Sequence, residues 1–358
     1  MARTRVLVVE DSATVRDRLC SVLASDPDID LVGEASDGRQ AIDLCQGLRP
    51  DVVTMDMMLP VMSGLAATEY IMAHCPTPIL VVSSSFNRGE LFKTYDALAA
   101  GAVDVLEKPN GEEPDGAWNR RFLSTLKLVS RIRVITHLRA RLRTHDPHAI
   151  GRIGNEAGQN DYAGSIKIAA IGASTGGPSA VVDVIRSLPR DFSPPVLLVL
   201  HLHRQLGSAF ADWLDGQSDR PAAFARHGEP IAGARGRIVM APPEHHMIVR
   251  DGRIHLDDGP ERYFCRPSVD VLFDSVAREY GRSAAACLLT GMGRDGASGL
   301  LAIRSAGGET IAQDEATSIV YGMPREAALI GAAARVLPLD EIGPALGALG
   351  RAGGRDRR

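Results

Sequence analysis

The sequence predicts two doubly wound parallel α/β domains joined by a linker. Three observations lead there. Short apolar runs alternate with helix-period segments in both halves of the chain. Polar residues able to do chemistry fall just past the C-terminal ends of those runs, the edge where open parallel sheets place their sites. The chain has 358 residues, 45% of them apolar, enough for two cores. A net charge of -4 gives no global reason to expect nucleic acid or an anionic membrane as partner. No apolar run approaches the roughly 20 residues that span a bilayer. Met1-Ala2-Arg3-Thr4 leads directly into a strand, so no signal peptide is expected. Cys20, Cys45, Cys75, Cys265 and Cys287 show neither pairing nor metal spacing. Together these point to a cytoplasmic protein.

In the first half, Arg5 to Val9 is β-rich and ends at Glu10-Asp11, after which Ser12 opens a helix with Val15, Leu19 and Val22-Leu23 on its apolar stripe. Ile29 to Glu34 is the second strand. Gly38 to Leu48 is a helix carrying Ala41, Ile42, Leu44 and Cys45, and Pro50 ends it. Asp51 to Met55 is the third strand, closed by Asp56, and Pro60 and Gly64 punctuate the loop that follows. Ile79 to Val82 is the fourth strand, ending at Ser83, and Ala102 to Leu106 the fifth, ending at Lys108. Five strands alternating with helices make a doubly wound sheet.

Glu10, Asp11, Asp56, Ser83 and Lys108 therefore share one sheet edge. Three carboxylates meeting there repel unless a cation joins them, and hard oxygen ligands with room for water suit Mg²⁺. A carboxylate beside Mg²⁺, an ammonium and a hydroxyl is well arranged to accept a phosphoryl group. On these residues, residues 1–143 resemble a response-regulator receiver domain of flavodoxin-like fold. The resemblance implies that Glu10, Asp11 and Asp56 hold the metal together with the backbone carbonyl of Met58. It implies that Asp56 is the phosphoacceptor, Ser83 the switch hydroxyl and Lys108 the phosphoryl-contacting lysine. Val105 stands where many receivers carry an aromatic switch residue. The last helix is expected to run long, from Trp118 to Arg143, with its basic residues on a solvated face. Residues 144–164 are polar and aperiodic and are expected to be a linker.

The second half opens on Ile166 to Pro178, IKIAAIGASTGGP. A short apolar strand runs into a glycine turn around Ser174, and Val181, Val182, Ile185 and Leu188 follow at helical spacing. Gly172-Ala173-Ser174-Thr175-Gly176 fits the nucleophile-elbow pattern G-x-S-x-G. The same turn could instead hold a phosphate at a helix N-terminus. Pro195 to Leu200 is a strand ending at His201, and Ala209 to Leu214 starts a helix. Ile238 to Ala241 is a strand closed by Pro242-Pro243. Ile248-Val249 and Ile254-Leu256 flank the hairpin turn Asp251-Gly252. Val269 to Tyr280 is a helix, Ala284 to Thr290 a strand leading to Asp295, and Thr310 to Gln313 one more strand. Serine, histidine and aspartate at three strand ends can form a catalytic triad. An imidazole near its ordinary pKa of about 6.5 takes the serine proton, and a carboxylate orients the imidazole. The order Ser, His, Asp differs from that of the α/β-hydrolases, which argues against their fold but not against the chemistry.

Four stretches, IGASTGGP from Ile171, CRPSVDVLF from Cys265, LTGMGRDGASGL from Leu289 and AQDEATSIVYGMPREA from Ala312, resemble the catalytic domain of the chemotaxis protein-glutamate methylesterases, which are also protein-glutamine deamidases. A receiver followed by this Rossmann-like domain, here residues 165–350, is that family's whole-chain architecture; residues 351–358 are expected to be a disordered tail. The resemblance implies Ser174 as nucleophile, His201 as base and Asp295 as orienting acid. It also implies an oxyanion hole at Thr175 and the Met292 backbone N–H. His203 is the alternative base; the register of Ala209-Phe210-Ala211-Asp212 favours His201. His245 and His246 read as loop or packing residues, and Arg266 and Ser268 as either substrate-positioning or structural. Leu200 and Leu202 replace the polar or flexible neighbours usual in the family. By resemblance, a histidine kinase phosphorylates Asp56, and the substrates are methylated cytoplasmic helices of chemoreceptors. The esterase step needs no cofactor, and no nucleic-acid contact or membrane insertion is expected. Two rivals carry less. A receiver joined to a nucleotide-binding module lacks G-x-G-x-x-G and a ribose carboxylate. A DNA-binding regulator lacks a helix-turn-helix and a concentrated basic face.

Overall fold

The structure, a computed structural model, describes residues 3–84, 88–108, 116–132, 134, 166–202, 204–207 and 209–351. The chain divides into two compact units between Gly151 and Arg152. The expected linker, 144–164, lies outside the described residues, as do His203 and residues 352–358. Among the described residues no helix is long and apolar enough to cross a membrane.

The first unit alternates β1 (Thr4–Val9), α1 (Ala13–Ala24), β2 (Ile29–Ala35), α2 (Gly38–Leu48), β3 (Val52–Met55), α3 (Gly64–His74), β4 (Ile79–Ser83), α4 (Arg88–Ala99), β5 (Asp104–Glu107) and α5 (Ala117–Val129). All pairings are parallel, in the order β2-β1-β3-β4-β5. Strands covered by helices on both faces must be apolar throughout, and the side chains of β3 and β4 are buried along their whole length. Ser12, Asp37 and Ser63 cap α1, α2 and α3 by accepting hydrogen bonds from first-turn N–H groups.

Two expectations for this unit need correction. The fifth strand begins at Asp104 rather than Ala102, because the Ala102 N–H closes the end of α4 on the Ala97 carbonyl. The last helix stops short of its expected span, of which residues 133 and 135–143 lie outside the described residues. It ends at Val129, where Arg131 and Ile132 donate to carbonyls only three residues back and the Ser130 hydroxyl donates to the Lys127 carbonyl. That tighter pattern closes an α-helix.

The second unit carries β6 (Ile168–Ala173), α6 (Gly177–Ser187), β7 (Val196–Leu200), α7 (Arg204–Gly207), α8 (Phe210–Asp215), β8 (Ala222–Phe224), β9 (Ile238–Met240), β10 (His246–Arg250), β11 (Arg253–Asp257), α9 (Val269–Tyr280), β12 (Ala284–Leu288), α10 (Ala297–Ser305), β13 (Glu309–Gln313), α11 (Met323–Leu329), β14 (Arg335–Leu337) and α12 (Leu339–Arg351). The parallel sheet reads β14-β13-β12-β6-β7-β9-β8, and β10 and β11 form a separate antiparallel hairpin. Strand order reverses at β6, which sits between β7 and β12. Ile168, Ala170, Leu197 and Val199 of the sheet are buried with Val269, Leu272, Phe273 and Val276 of α9 in one apolar cluster. Arg351 was expected to open a disordered tail, and the structure corrects that for this one residue. Arg351 closes α12 and pairs with Asp191 at 3.1 Å.

Candidate functional site

In the first unit, Glu10 follows β1, Asp56 follows β3, Ser83 ends β4 and Lys108 follows β5. Strand order reverses between β1 and β3, and the site sits there. One carboxylate oxygen each from Glu10, Asp11 and Asp56 lie within 4.8 Å of one another. Lys108 Nζ lies 2.8 Å from Glu10 Oε2 and 3.0 Å from Asp56 Oδ2. The Met57 N–H donates to Asp56 Oδ1 at 2.8 Å. Burial raises the Glu10 carboxyl pKa, and the Lys108 hydrogen bond only partly offsets this. Burial acts to lower the Lys108 ammonium, but hydrogen bonding to Glu10 and the Asp56 charge hold it above its ordinary value. The Ser83 hydroxyl is buried without a hydrogen-bond partner among the described residues. Met58 is half-exposed, and its sulfur accepts from Lys93 Nζ at 3.4 Å. Gly64 is required here, since a Cβ would lie 1.9 Å from the Asp56 carbonyl oxygen.

The donor set suits Mg²⁺. Three hard carboxylates converge, one of them exposed to admit water, and lysine neutralises only part of their charge. The orphaned Ser83 hydroxyl is a further polar group awaiting a partner on the same edge.

In the second unit, Ser174 follows β6, His201 follows β7 and Asp295 lies beyond β12. Ala173 and Leu200 are register partners, so Ser174 and His201 are neighbours one step past the sheet edge. The His201 N–H donates to the Ala173 carbonyl at 3.0 Å and the Ser174 N–H to the Thr290 carbonyl at 3.0 Å. Gly291 lets the following loop close on the serine, because a Cβ there would meet Ser174 Cβ at 2.7 Å. Met292, one residue on, is exposed. Thr175 is held by the Thr290 hydroxyl, which donates to its carbonyl at 3.0 Å.

His201 Nε2 lies 2.9 Å from Asp295 Oδ2. Asp295 also accepts from the Ser268 hydroxyl at 2.7 Å, the Val269 N–H at 2.7 Å and the Asp270 N–H at 3.1 Å. Burial alone would raise the Asp295 pKa, but the His201 pair and these donors hold it below the usual carboxylate range. Burial would lower the His201 pKa, yet hydrogen bonds to Asp295 and Cys265 raise it to about 9. The expectation of an imidazole near its ordinary pKa is therefore corrected. A buried carboxylate saturated with donors stabilises the imidazolium beside it. Cys265 Sγ lies 3.8 Å from His201 Nδ1. The Ser174 hydroxyl makes no hydrogen bond among the described residues.

The other candidates are engaged elsewhere. Buried His246 accepts from the Ser268 N–H at 3.2 Å through Nδ1 and faces the Pro260 carbonyl at 3.1 Å through Nε2. His245 bonds the Pro243 carbonyl at 2.9 Å and faces Asp258 at 3.2 Å. Arg266 ties down the Asp258 and Gly259 carbonyls at 3.0 Å each. Ser268 has a definite role, holding Asp295 while its oxygen caps α9. The sequence reading missed Cys265 as a neighbour of His201 and missed the turn before it. Arg262 and Cys265 exchange backbone hydrogen bonds at 3.2 and 3.0 Å, and Tyr263 and Phe264 between them have φ of 52° and 62°. Left-handed backbone costs a residue with a Cβ about 1–2 kcal/mol.

A parallel α/β unit with carboxylates, a lysine and a hydroxyl at one edge, followed by a second with serine, histidine and aspartate at its switch point, defines a response regulator whose output is a hydrolase. Residues 6–114 match the response regulator receiver domain family, and residues 169–346 match the CheB methylesterase family. The chain is 43% identical over 347 residues to the protein-glutamate methylesterase/protein-glutamine glutaminase 2 of Anaeromyxobacter dehalogenans, covering 97% of each chain. It is 43% identical over 347 residues to the Nitrosospira multiformis protein-glutamate methylesterase/protein-glutamine glutaminase, covering 95% of each. To the corresponding protein 2 of Pseudomonas aeruginosa it is 42% identical over 347 residues, again covering 95% of each. The chain belongs to this CheB-type family of protein-glutamate methylesterases/protein-glutamine glutaminases with an N-terminal receiver domain.

Proposed function

We propose that this chain hydrolyses glutamate γ-methyl esters on chemoreceptors, releasing methanol, and deamidates receptor glutamines to glutamate, releasing ammonia. The observation that carries this is the 2.9 Å contact between His201 Nε2 and Asp295 Oδ2, on strand ends that flank the one bearing Ser174. With Nε2 committed to Asp295, Nδ1, which faces Cys265 Sγ at 3.8 Å, is the nitrogen that takes the serine proton. Ser174 Oγ attacks the γ-carbonyl as its proton passes to His201. The tetrahedral oxyanion is met by the backbone N–H groups of Thr175 and Met292, and His201 returns the proton to the leaving methoxide or amine. Water then repeats the sequence against the acyl-serine, giving glutamate and free Ser174. Asp295 fixes the ring and stabilises the imidazolium without taking the proton.

Residues 1–143 serve as the switch, 144–164 as the linker and 165–350 as the catalytic domain. A chemotaxis-type histidine kinase is the phosphoryl donor and Asp56 the acceptor. Glu10, Asp11, Asp56 and the Met58 carbonyl would hold Mg²⁺, which when bound neutralises charge on the transferring phosphoryl oxygens. Lys108 and the Ser83 hydroxyl, the latter without a partner among the described residues, would bind the phosphoryl group once it is on Asp56. Methanol release from a methylated receptor tests the reading, comparing the full chain with and without an acyl-phosphate donor, and its Asp56→Asn and Ser174→Ala variants. Phosphoryl stimulation that is lost in Asp56→Asn is expected, with no turnover in Ser174→Ala. Full activity in Ser174→Ala would overturn the catalytic assignment.

A further inference from the structure

We propose that the Tyr263–Phe264 turn is a docking finger for the protein substrate, and that Phe264 is a specificity-determining residue which grips the apolar face of the segment carrying the reacting glutamyl side chain. This rests on the hydrolase reading above and deepens it. The turn is two residues long, with φ of 52° at Tyr263 and 62° at Phe264. Turns with positive φ at both central residues favour Asn-Gly, so two aromatic residues here are held against local preference. The surroundings enforce the shape. Arg262 pairs with Asp274 at 2.6 Å and reaches Asp270 at 3.5 Å, anchoring the turn to α9. The Arg294 guanidinium stacks 4.6 Å from the Tyr263 ring centroid. The Cys265 thiol donates to the Tyr263 carbonyl at 3.4 Å.

None of that holds the Phe264 ring, which is 95% exposed. A ring so exposed, on strained backbone, gives the fold nothing; its use lies in what binds it. Its position says what that is. The next residue, Cys265, touches His201 Nδ1 at 3.8 Å, and Arg294 directly precedes Asp295. Met292, 59% exposed, follows the glycine that abuts Ser174. Phe264 and Met292 thus give the serine an apolar rim, with the exposed Arg294 cation beside it. A segment delivering a glutamyl ester to Ser174 must cross that rim. The rim fits an amphipathic helix rich in glutamate and glutamine, its apolar side on Phe264 and Met292 and its carboxylates toward Arg294.

The test uses the full chain on two esters, a methylated receptor fragment and a small soluble glutamate γ-methyl ester. Phe264→Asn removes the ring but suits left-handed backbone, so Tm is expected to hold or rise. The ratio of kcat/KM on the protein ester to that on the small ester is expected to fall about tenfold or more, mainly through KM. Phe264→Leu should restore most of it. A merely structural role would lower Tm and move both substrates together. An unchanged ratio overturns the finger, as does an equal loss on both esters. A raised rate in the unphosphorylated variant also overturns it, since the ring would then be covering the site for the chain itself. If the unaltered chain hydrolyses neither ester, the hydrolase reading falls and this inference with it. If it hydrolyses both and the ratio stays put, only the finger falls.

Discussion

The two sites sit at equivalent places in two parallel sheets, each at the strand ends beside a reversal of strand order, yet they are built on opposite electrostatic plans. At the first edge three carboxylates gather and two of them share one ammonium, leaving a surplus of negative charge and, among the described residues, a hydroxyl without a partner. A cation and a phosphoryl group would complete such a site. At the second edge a single carboxylate accepts three hydrogen bonds besides the imidazole and is closed to further ligands. There a serine hydroxyl, not the charge, is left unengaged among the described residues. Two parallel sheets of different strand order therefore carry different chemistry according to which residues their loops deliver to the edge beside the reversal.

If the division of labour is right, variants at the two edges should fail differently. The largest effect is expected for Ser174→Ala. Methanol release should fall by roughly 10⁶-fold, to background, while Asp56 still accepts phosphoryl from an acyl-phosphate donor, read by Phos-tag gel shift. Asp295→Asn should cost about 10⁴-fold or less in kcat, since geometry survives but the orienting charge is gone. The same pair sets a pH signature. Neutral His201 is the competent base, and its pKa is raised to about 9, so kcat/KM should climb with pH through about 9 and the limb should move down in Asp295→Asn. The linkage has the same sign. A histidine raised above its ordinary value of 6.5 adds stability below that pH, which is lost as pH rises through about 9. A rate limb near 6.5 in the unaltered chain would contradict the coupling described here.

Smaller effects sharpen the contrast. Ser268→Ala removes a 2.7 Å donor from Asp295 and the cap of α9. It should cost roughly 1–3 kcal/mol in chemical denaturation and lower kcat about tenfold, leaving phosphorylation alone. Gly64→Ala should do the reverse. Its Cβ collides with the carbonyl of Asp56, so the first unit should lose roughly 1–3 kcal/mol and accept phosphoryl more slowly, while the isolated esterase step on a small ester persists.

Much of this was legible in the chain itself. Helix bounds at Gly38–Leu48 and Val269–Tyr280 follow from periodicity and punctuation, because an apolar stripe with capping residues is a local property. Ser174, Asp56 and Lys108 stand out for the same reason, each at the end of an apolar run. The long α5 was misjudged because basic residues at helical spacing continue past the point where Ser130 closes the ladder. Edge strands β8 and β14, three residues each, leave too short a pattern to read.

By itself the sequence determined the two alternating sheets, the polar residues at their edges and the family to which they belong, since these depend on neighbours along the chain. Only the tertiary structure decided what those residues meet. It committed His201 Nε2 to Asp295 and brought Ser268 in as the carboxylate's third-element support. It also set Cys265 against the other ring nitrogen and put Phe264 out in solvent at the rim. Each of these joins residues tens of positions apart or rests on a backbone angle that no residue type prefers. Their energies come from packing and desolvation, which local pattern does not encode.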